Sequence, residues 1–252
     1  METNTIVADE MNPGSGPITE QASESPVDFY RGERGTQYFR EKFGDAMEFG
    51  RLLQLDYFRP FCSEARDLVD FGSAHGLALR RLPAKSRTGI EVNPAARKRC
   101  AELAEKEGIR VRQYDVLEDV PNESADIVIS NHCLEHVPRP LDALCLIRRI
   151  LRPGGQLVIV TPYDDCRSVK NRVWRERDPD YHLYTWSPMN LGNLVHAAGL
   201  DCQSVTVHHR AWSPRLFGVY RAFGRAAFDV CCWLNSYWSR RAEVVCVAKR
   251  LD

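Results

Sequence analysis

The chain has 252 residues, 44% of them apolar, with 34 basic side chains balanced by 34 acidic ones. That length suits one α/β domain with a full core, and the charge balance supplies no overall basic field to recruit nucleic acid. Nine cysteines lie scattered without a C-x-x-C pair, the N-terminus is acidic and polar, and no apolar run reaches the roughly 18 residues of a membrane span. These features exclude a disulfide framework, a zinc site of paired cysteines, a secretory signal and a spanning helix, and predict a cytoplasmic protein.

Residues 1–26 hold Pro, Gly, Ser, Thr and Glu with few large apolar groups and read as a disordered tail. From Phe29 to Phe58 the aromatic and aliphatic residues recur at helical spacings. One or two helices are expected over 27–64, packed as a cap on the main sheet or over a ligand cleft. The regular pattern starts with a strand at Asp67–Phe71, a helix from Gly76 to Leu82 and a second strand at Arg87–Glu91. Asn93-Pro94 starts a helix that stops at Gly108, Asn93 serving as the cap and Pro94 fitting the first turn. Strands follow at Arg110–Tyr114 and Asp126–Ser130, the latter nearly continuous in β-branched residues, as a strand buried on both faces should be. A helix over Pro140–Leu151 and the turn Arg152-Pro-Gly-Gly155 lead to a fifth strand, Gln156–Thr161. This alternation predicts a doubly wound, mostly parallel sheet with helices on both faces over 65–252. Two insertions, 162–187 and 209–241, interrupt its second half, around a helix at Pro188–Ala198 and a strand at Asp201–His208. A last strand is expected at Glu243–Ala248.

Strand one runs straight into Gly72-Ser-Ala-His-Gly76, and strand two ends on an acid, Glu91, 21 residues beyond Asp70. A strand, a glycine turn, a helix and a strand ending in a carboxylate is how an α/β sheet holds a nucleoside. The G-x-x-x-G spacing lacks the G-x-G-x-x-G fingerprint of nicotinamide enzymes. With Tyr114-Asp-Val116, Asp126-Ile-Val-Ile-Ser-Asn-His-Cys-Leu-Glu-His-Val137 and Leu151-Arg-Pro-Gly-Gly-Gln-Leu-Val-Ile159, the chain resembles the class I S-adenosylmethionine-dependent methyltransferases, small-molecule branch, over about 65–210.

The resemblance implies a seven-stranded Rossmann-like sheet and S-adenosyl-L-methionine as cofactor. It implies that Gly72, Ser73, Ala74 and Gly76 let the backbone pass close to the methionine half, Ala74 standing where the family usually has a third glycine. Asp70 would hold water or the cofactor's ammonium. Glu91, with Val92 beside it, would take both ribose hydroxyls, Asp115 the adenine amino group and Val116 the ring face. Asn131 and His132 would border the methyl-transfer point. Ubiquinone-pathway relatives carry an E-x-x-E-H metal cluster at this place, but here His132 replaces the first acid, and no metal is expected.

A hydroxyl acceptor needs a base near the ends of strands four and five or on a loop folding over them. His182, His132 and Asp164 are the candidates, with Asp165 and Tyr184 behind them. Trp174, Tyr181, Tyr184 and Trp186 in the first insertion offer stacking surfaces for a sugar or ring. The second insertion reads as one or two amphipathic helices. Core or homodimer packing is the plain expectation for them; a peripheral membrane contact through 212–238, signalled by exposed Trp212, Trp233 and Trp238, is the sharper one. The expected activity is methyl transfer to a small-molecule or glycan-precursor acceptor, at oxygen, with no nucleic-acid substrate. The alternatives are a non-catalytic cofactor-binding scaffold and a nucleic-acid methyltransferase.

Overall fold

The computed structural model describes residues 26–42, 45–163, 181–209, 212–239 and 241–252. The expected disordered tail, and with it Asp164, Asp165 and Trp174 of the first insertion, lie outside the described residues.

Seven strands form one sheet: β1 Asp67–Phe71, β2 Ser86–Ile90, β3 Arg112–Tyr114, β4 Ala125–Asn131, β5 Leu151–Pro162, β6 Asp201–His208 and β7 Glu243–Lys249. Their order is β3-β2-β1-β4-β5-β7-β6. The first five run parallel, and β7 is antiparallel to both β5 and β6. β4 shows why its near-continuous apolar run is needed. Successive side chains point to opposite faces, so Val128 joins one core cluster and Ile127 and Ile129 the other. All three are fully buried, each contributing about 2 kcal/mol of transfer free energy.

Helices cover both faces. On one, α6 (Pro140–Ile150) and α7 (Pro188–Ala197) bury Leu144, Ile147, Leu191 and Val195. On the other, α4 (Leu77–Arg81) supplies Leu79 and meets Leu55 and Phe58 from the N-terminal segment. The helix α5 (Pro94–Lys106) starts as its sequence indicates: Asn93 Oδ1 accepts the Ala96 N–H at 2.9 Å, and Pro94 occupies the first turn.

Two elements differ from expectation. The N-terminal cap holds three α-helices, α1 (Pro26–Arg31), α2 (Glu33–Lys42) and α3 (Asp45–Gln54), the first break falling at Gly32. The Arg152–Gly155 turn lies inside β5 instead of before it. Leu151 already pairs with Ala125, and the register then jumps to Ile127 with Gln156, leaving Pro153, Gly154 and Gly155 as a bulge. The second insertion is mostly one element, α8 (Phe217–Ser239), kinked where Gly224 takes φ +76°.

Candidate active site

The strand order reverses between β1 and β4, where their carboxyl ends part and open the crevice in which doubly wound sheets bind ligands. A cleft of about 650 Å³ occupies this point. One wall is built by the β1 turn and the ends of β2 and β3, the other by the end of β4, the residues after it and His182. Tyr30, Phe39, Met47, Arg51 and Gln54 of the N-terminal helices close it over.

The first wall is organised by backbone. Gly72 and Ser73 both donate their N–H to Ile90 O, at 2.9 and 3.0 Å, which ties the turn to β2. Glu91, only 6% exposed, accepts the Ala74 N–H at one carboxylate oxygen and the Asn93 N–H at the other, both at 2.9 Å. Each oxygen keeps a further acceptor site. Burial pushes the Glu91 carboxyl upward against these bonds. Burial, reinforced by the charge of Glu91, raises Asp70 to about 7. Two buried carboxyl groups thus face the cleft from this wall.

Gly72 takes φ +82°, and a Cβ there would sit 2.6 Å from Cys133 Sγ. Its freedom is needed against the opposite strand's thiol as well as toward the cleft. Gly76 differs from its expected role. It does not line the cleft; at φ +70° it caps α4, and a Cβ would meet Cys100 Sγ at 2.3 Å. Ala74 carries φ +46°, so the residue in place of the usual glycine pays in backbone strain, of order 1 kcal/mol, while still lining the cleft. Asp70, Ser73, Val92, Asp115, Val116 and Asn131 all line it as well. The Ser73 hydroxyl and Asn131 Oδ1 are buried there without a hydrogen-bond partner among the described residues, as atoms waiting for a polar ligand would be.

The second wall is organised by side chains from distant elements. His132, at φ +50°, places Nε2 3.2 Å from Glu243 Oε1 and Nδ1 3.6 Å from Glu135 Oε1. Gln54 Nε2 donates to the same Glu243 oxygen at 2.6 Å, and its carbonyl accepts from Asn131 Nδ2 at 3.2 Å. Burial pulls the His132 pKa down, but the two carboxylates overcome it and raise it to about 10. His132 is thus an imidazolium at neutral pH.

Glu135 is 1% exposed, and neither of its oxygens accepts a hydrogen bond among the described residues. His132 nonetheless keeps its carboxyl below the usual range, against burial. Its backbone carbonyl holds the incoming segment, accepting the Leu183 and Tyr184 N–H at 2.9 and 3.2 Å. His136 Nδ1 lies 3.0 Å from Tyr30 Oη and 3.3 Å from Tyr181 O, and burial lowers its pKa. The His182 ring sits 4.9 Å from that of His136. Ligand atoms of Glu135, His136 and His182 fall within 4.8 Å of one another, a donor set that a divalent transition ion could take.

His132 and His182 therefore reach the cleft, whereas Tyr184 does not line it; its hydroxyl donates to Pro138 O at 2.8 Å. The residues sequence reasoning missed are Gln54 and Glu243. Each had a signal: a polar residue inside Leu52-Leu53-Gln54-Leu55, and a carboxylate opening the apolar strand Glu243-Val-Val-Cys-Val.

A family model described as a methyltransferase domain matches residues 46–205. The chain is 37% identical over 101 residues to a phthiotriol/phenolphthiotriol dimycocerosates methyltransferase of Mycobacterium leprae, covering 38% of this chain and 34% of that protein. It is 28% identical over 169 residues to a ubiquinone biosynthesis O-methyltransferase of Cereibacter sphaeroides, covering 62% of this chain and 67% of that one. The chain thus spans about a third of the first relative and two thirds of the second. Among solved structures, phosphoethanolamine N-methyltransferase 2 of Haemonchus contortus in complex with S-adenosyl-L-methionine has the same fold. It matches at a TM-score of 0.64 and 17% identity over 92% of this chain and 61% of that one.

Proposed function

The chain belongs to the class I S-adenosylmethionine-dependent methyltransferases, and we propose that it transfers the methyl group to an oxygen of a small molecule or glycan precursor. The observation that carries this reading is Glu91: buried, oriented by two backbone N–H groups, and opposed across the cleft by a wall bearing three histidines.

Bound S-adenosylmethionine supplies an electrophilic methyl group on a sulfonium. The protein's task is placement and proton management. Glu91 takes the ribose hydroxyls on the acceptor sites its backbone bonds leave open, and Asp115 and Val116 receive the adenine. Asp70 and the unpartnered oxygens of Ser73 and Asn131 suit the polar methionine end. His132 borders the methyl position. An imidazolium has no lone pair to accept a proton, so its role changes from candidate base to fixed cation held between Glu135 and Glu243. His182, exposed at the cleft, would take the proton of an acceptor hydroxyl held against the sulfonium methyl. Oxygen as acceptor atom is supported by this base and by the similarity to the ubiquinone biosynthesis O-methyltransferase.

Calorimetric titration with S-adenosylmethionine and S-adenosylhomocysteine, on wild type and Glu91→Ala, tests the cofactor site. Incubation with labelled methyl donor and a panel of phenols, sugars and nucleotide sugars tests the acceptor. Label entering RNA or DNA but no small molecule would overturn the acceptor class. Failure of a well-folded wild type to bind either cofactor form would overturn the reading itself.

A further inference from the structure

The half of α8 beyond Gly224 is apolar on two faces. Phe228, Cys232 and Ser236 turn inward at four-residue spacing, Phe228 and Cys232 packing with Phe217, Phe49 and Trp212. Val230, Trp233, Leu234, Tyr237 and Trp238 form a second stripe on the outward side, where Val230 is 58% exposed and Trp238 92%. The ten residues 230–239 contain no charge. A helix apolar all round is one whose outer face is also to be covered.

The surroundings indicate by what. Five arginines, Arg215, Arg221, Arg225, Arg240 and Arg241, flank the stripe in sequence against one acid, Asp229. Arg225 is held between Asp229 and Asp56, while Arg215, Arg221 and Arg241 are exposed. Basic ends around an uncharged stripe rich in Trp and Tyr match the boundary between acyl chains and anionic headgroups. A second copy docking on the same face would bring like-charged arginines together. Trp212, just ahead of α8, also lines the cleft, so a surface on this helix lies beside the cleft's own wall.

We propose that the outward stripe of α8 docks on an anionic lipid bilayer, placing the cleft where a membrane-dissolved or lipid-linked acceptor can reach it. The acceptor clause rests on the methyl-transfer reading; the docking does not.

Co-sedimentation with vesicles of phosphatidylcholine, alone or with one third phosphatidylglycerol, tests the contact. Wild type is expected to bind the anionic vesicles about tenfold more tightly, and to lose much of that advantage as salt shortens the Debye length. Trp238→Ser, at a residue too exposed to unfold the protein, should weaken binding severalfold, and Trp233→Ser with Trp238→Ser should abolish it. Equal sedimentation of wild type and both variants would overturn the proposal. So would absence of binding together with a concentration-dependent dimer that Trp238→Ser dissolves, an outcome assigning the face to a second copy. Calorimetry of S-adenosylmethionine on the same variants keeps the two readings apart: unchanged affinity with lost vesicle binding locates the failure on the surface alone.

Discussion

Glu91 and Glu135 are both buried carboxylates on the same cleft, and they are held in opposite ways. Glu91 receives backbone N–H groups from residues 17 positions before it and two after it. The Glu135 carboxylate receives no hydrogen bond among the described residues and owes its charge to His132, itself shared with Glu243 from the last strand. Backbone donors belong to the fold and survive any side-chain change nearby. Charge partners do not, so the second wall is the more easily retuned of the two and the more fragile.

That contrast can be broken from its weakest point. Glu243→Ala should leave His132 with one carboxylate and Gln54 without its acceptor, destabilising the protein by about 3 kcal/mol in urea melts. If stability is unchanged, the second wall is not charge-clamped. His182→Ala should lower kcat about 100-fold while leaving KM for S-adenosylmethionine near wild type, and should remove one limb of the pH–rate profile. A KM effect alone would make His182 a binding residue. Glu91→Ala is expected to weaken cofactor binding about 30-fold in calorimetry, a loss of about 2 kcal/mol, and to lower the thermal melt as well, since the Ala74 and Asn93 N–H groups lose their acceptor.

A smaller effect separates the walls by pH. Asp70 rises from 3.8 unfolded to about 7 folded, so the stability it contributes is complete below about pH 4 and lost as pH rises through 7. His132 rises from 6.5 to about 10, so its contribution is complete below 6.5 and lost as pH rises through 10. Asp70→Asn should therefore raise the cofactor-free melting temperature at pH 8 by several degrees and leave the decline near pH 10 intact. The smallest expected change is none at all: activity should survive exhaustive chelation. Loss restored by a divalent ion would instead make Glu135, His136 and His182 its ligands and remove His182 from the role of base.

The two walls also differ in how far the sequence discloses them. The first is local: a strand, a turn and an acid in register, where Gly72, Glu91 and Asp115 could be placed from spacing because the parallel sheet converts spacing into position. Gly76 shows the limit, since a glycine needed for its left-handed backbone looks the same in sequence whether its neighbour is a ligand or Cys100. The second wall is assembled from residues 54, 132 and 243, and no local pattern announces that three elements so far apart will meet at one carboxylate oxygen. The same is true of α8, whose inward and outward stripes are both apolar, so periodicity alone could not say which meets the core. Trp212 was expected to stand exposed if the helix served a membrane; it is half-buried against Phe217, and only Trp233 and Trp238 remain outside.

The bond from Gln54 to Glu243 spans 189 residues. During synthesis the chain leaves the ribosome from its N-terminus, so α3 and the whole parallel half of the sheet can form while β7 is still being made. The residues of the first wall have all been made by about Asp115, but His132 acquires its second carboxylate only when residue 243 emerges. A chain truncated before residue 243 would therefore leave His132 with Glu135 as its one carboxylate and Gln54 without its acceptor.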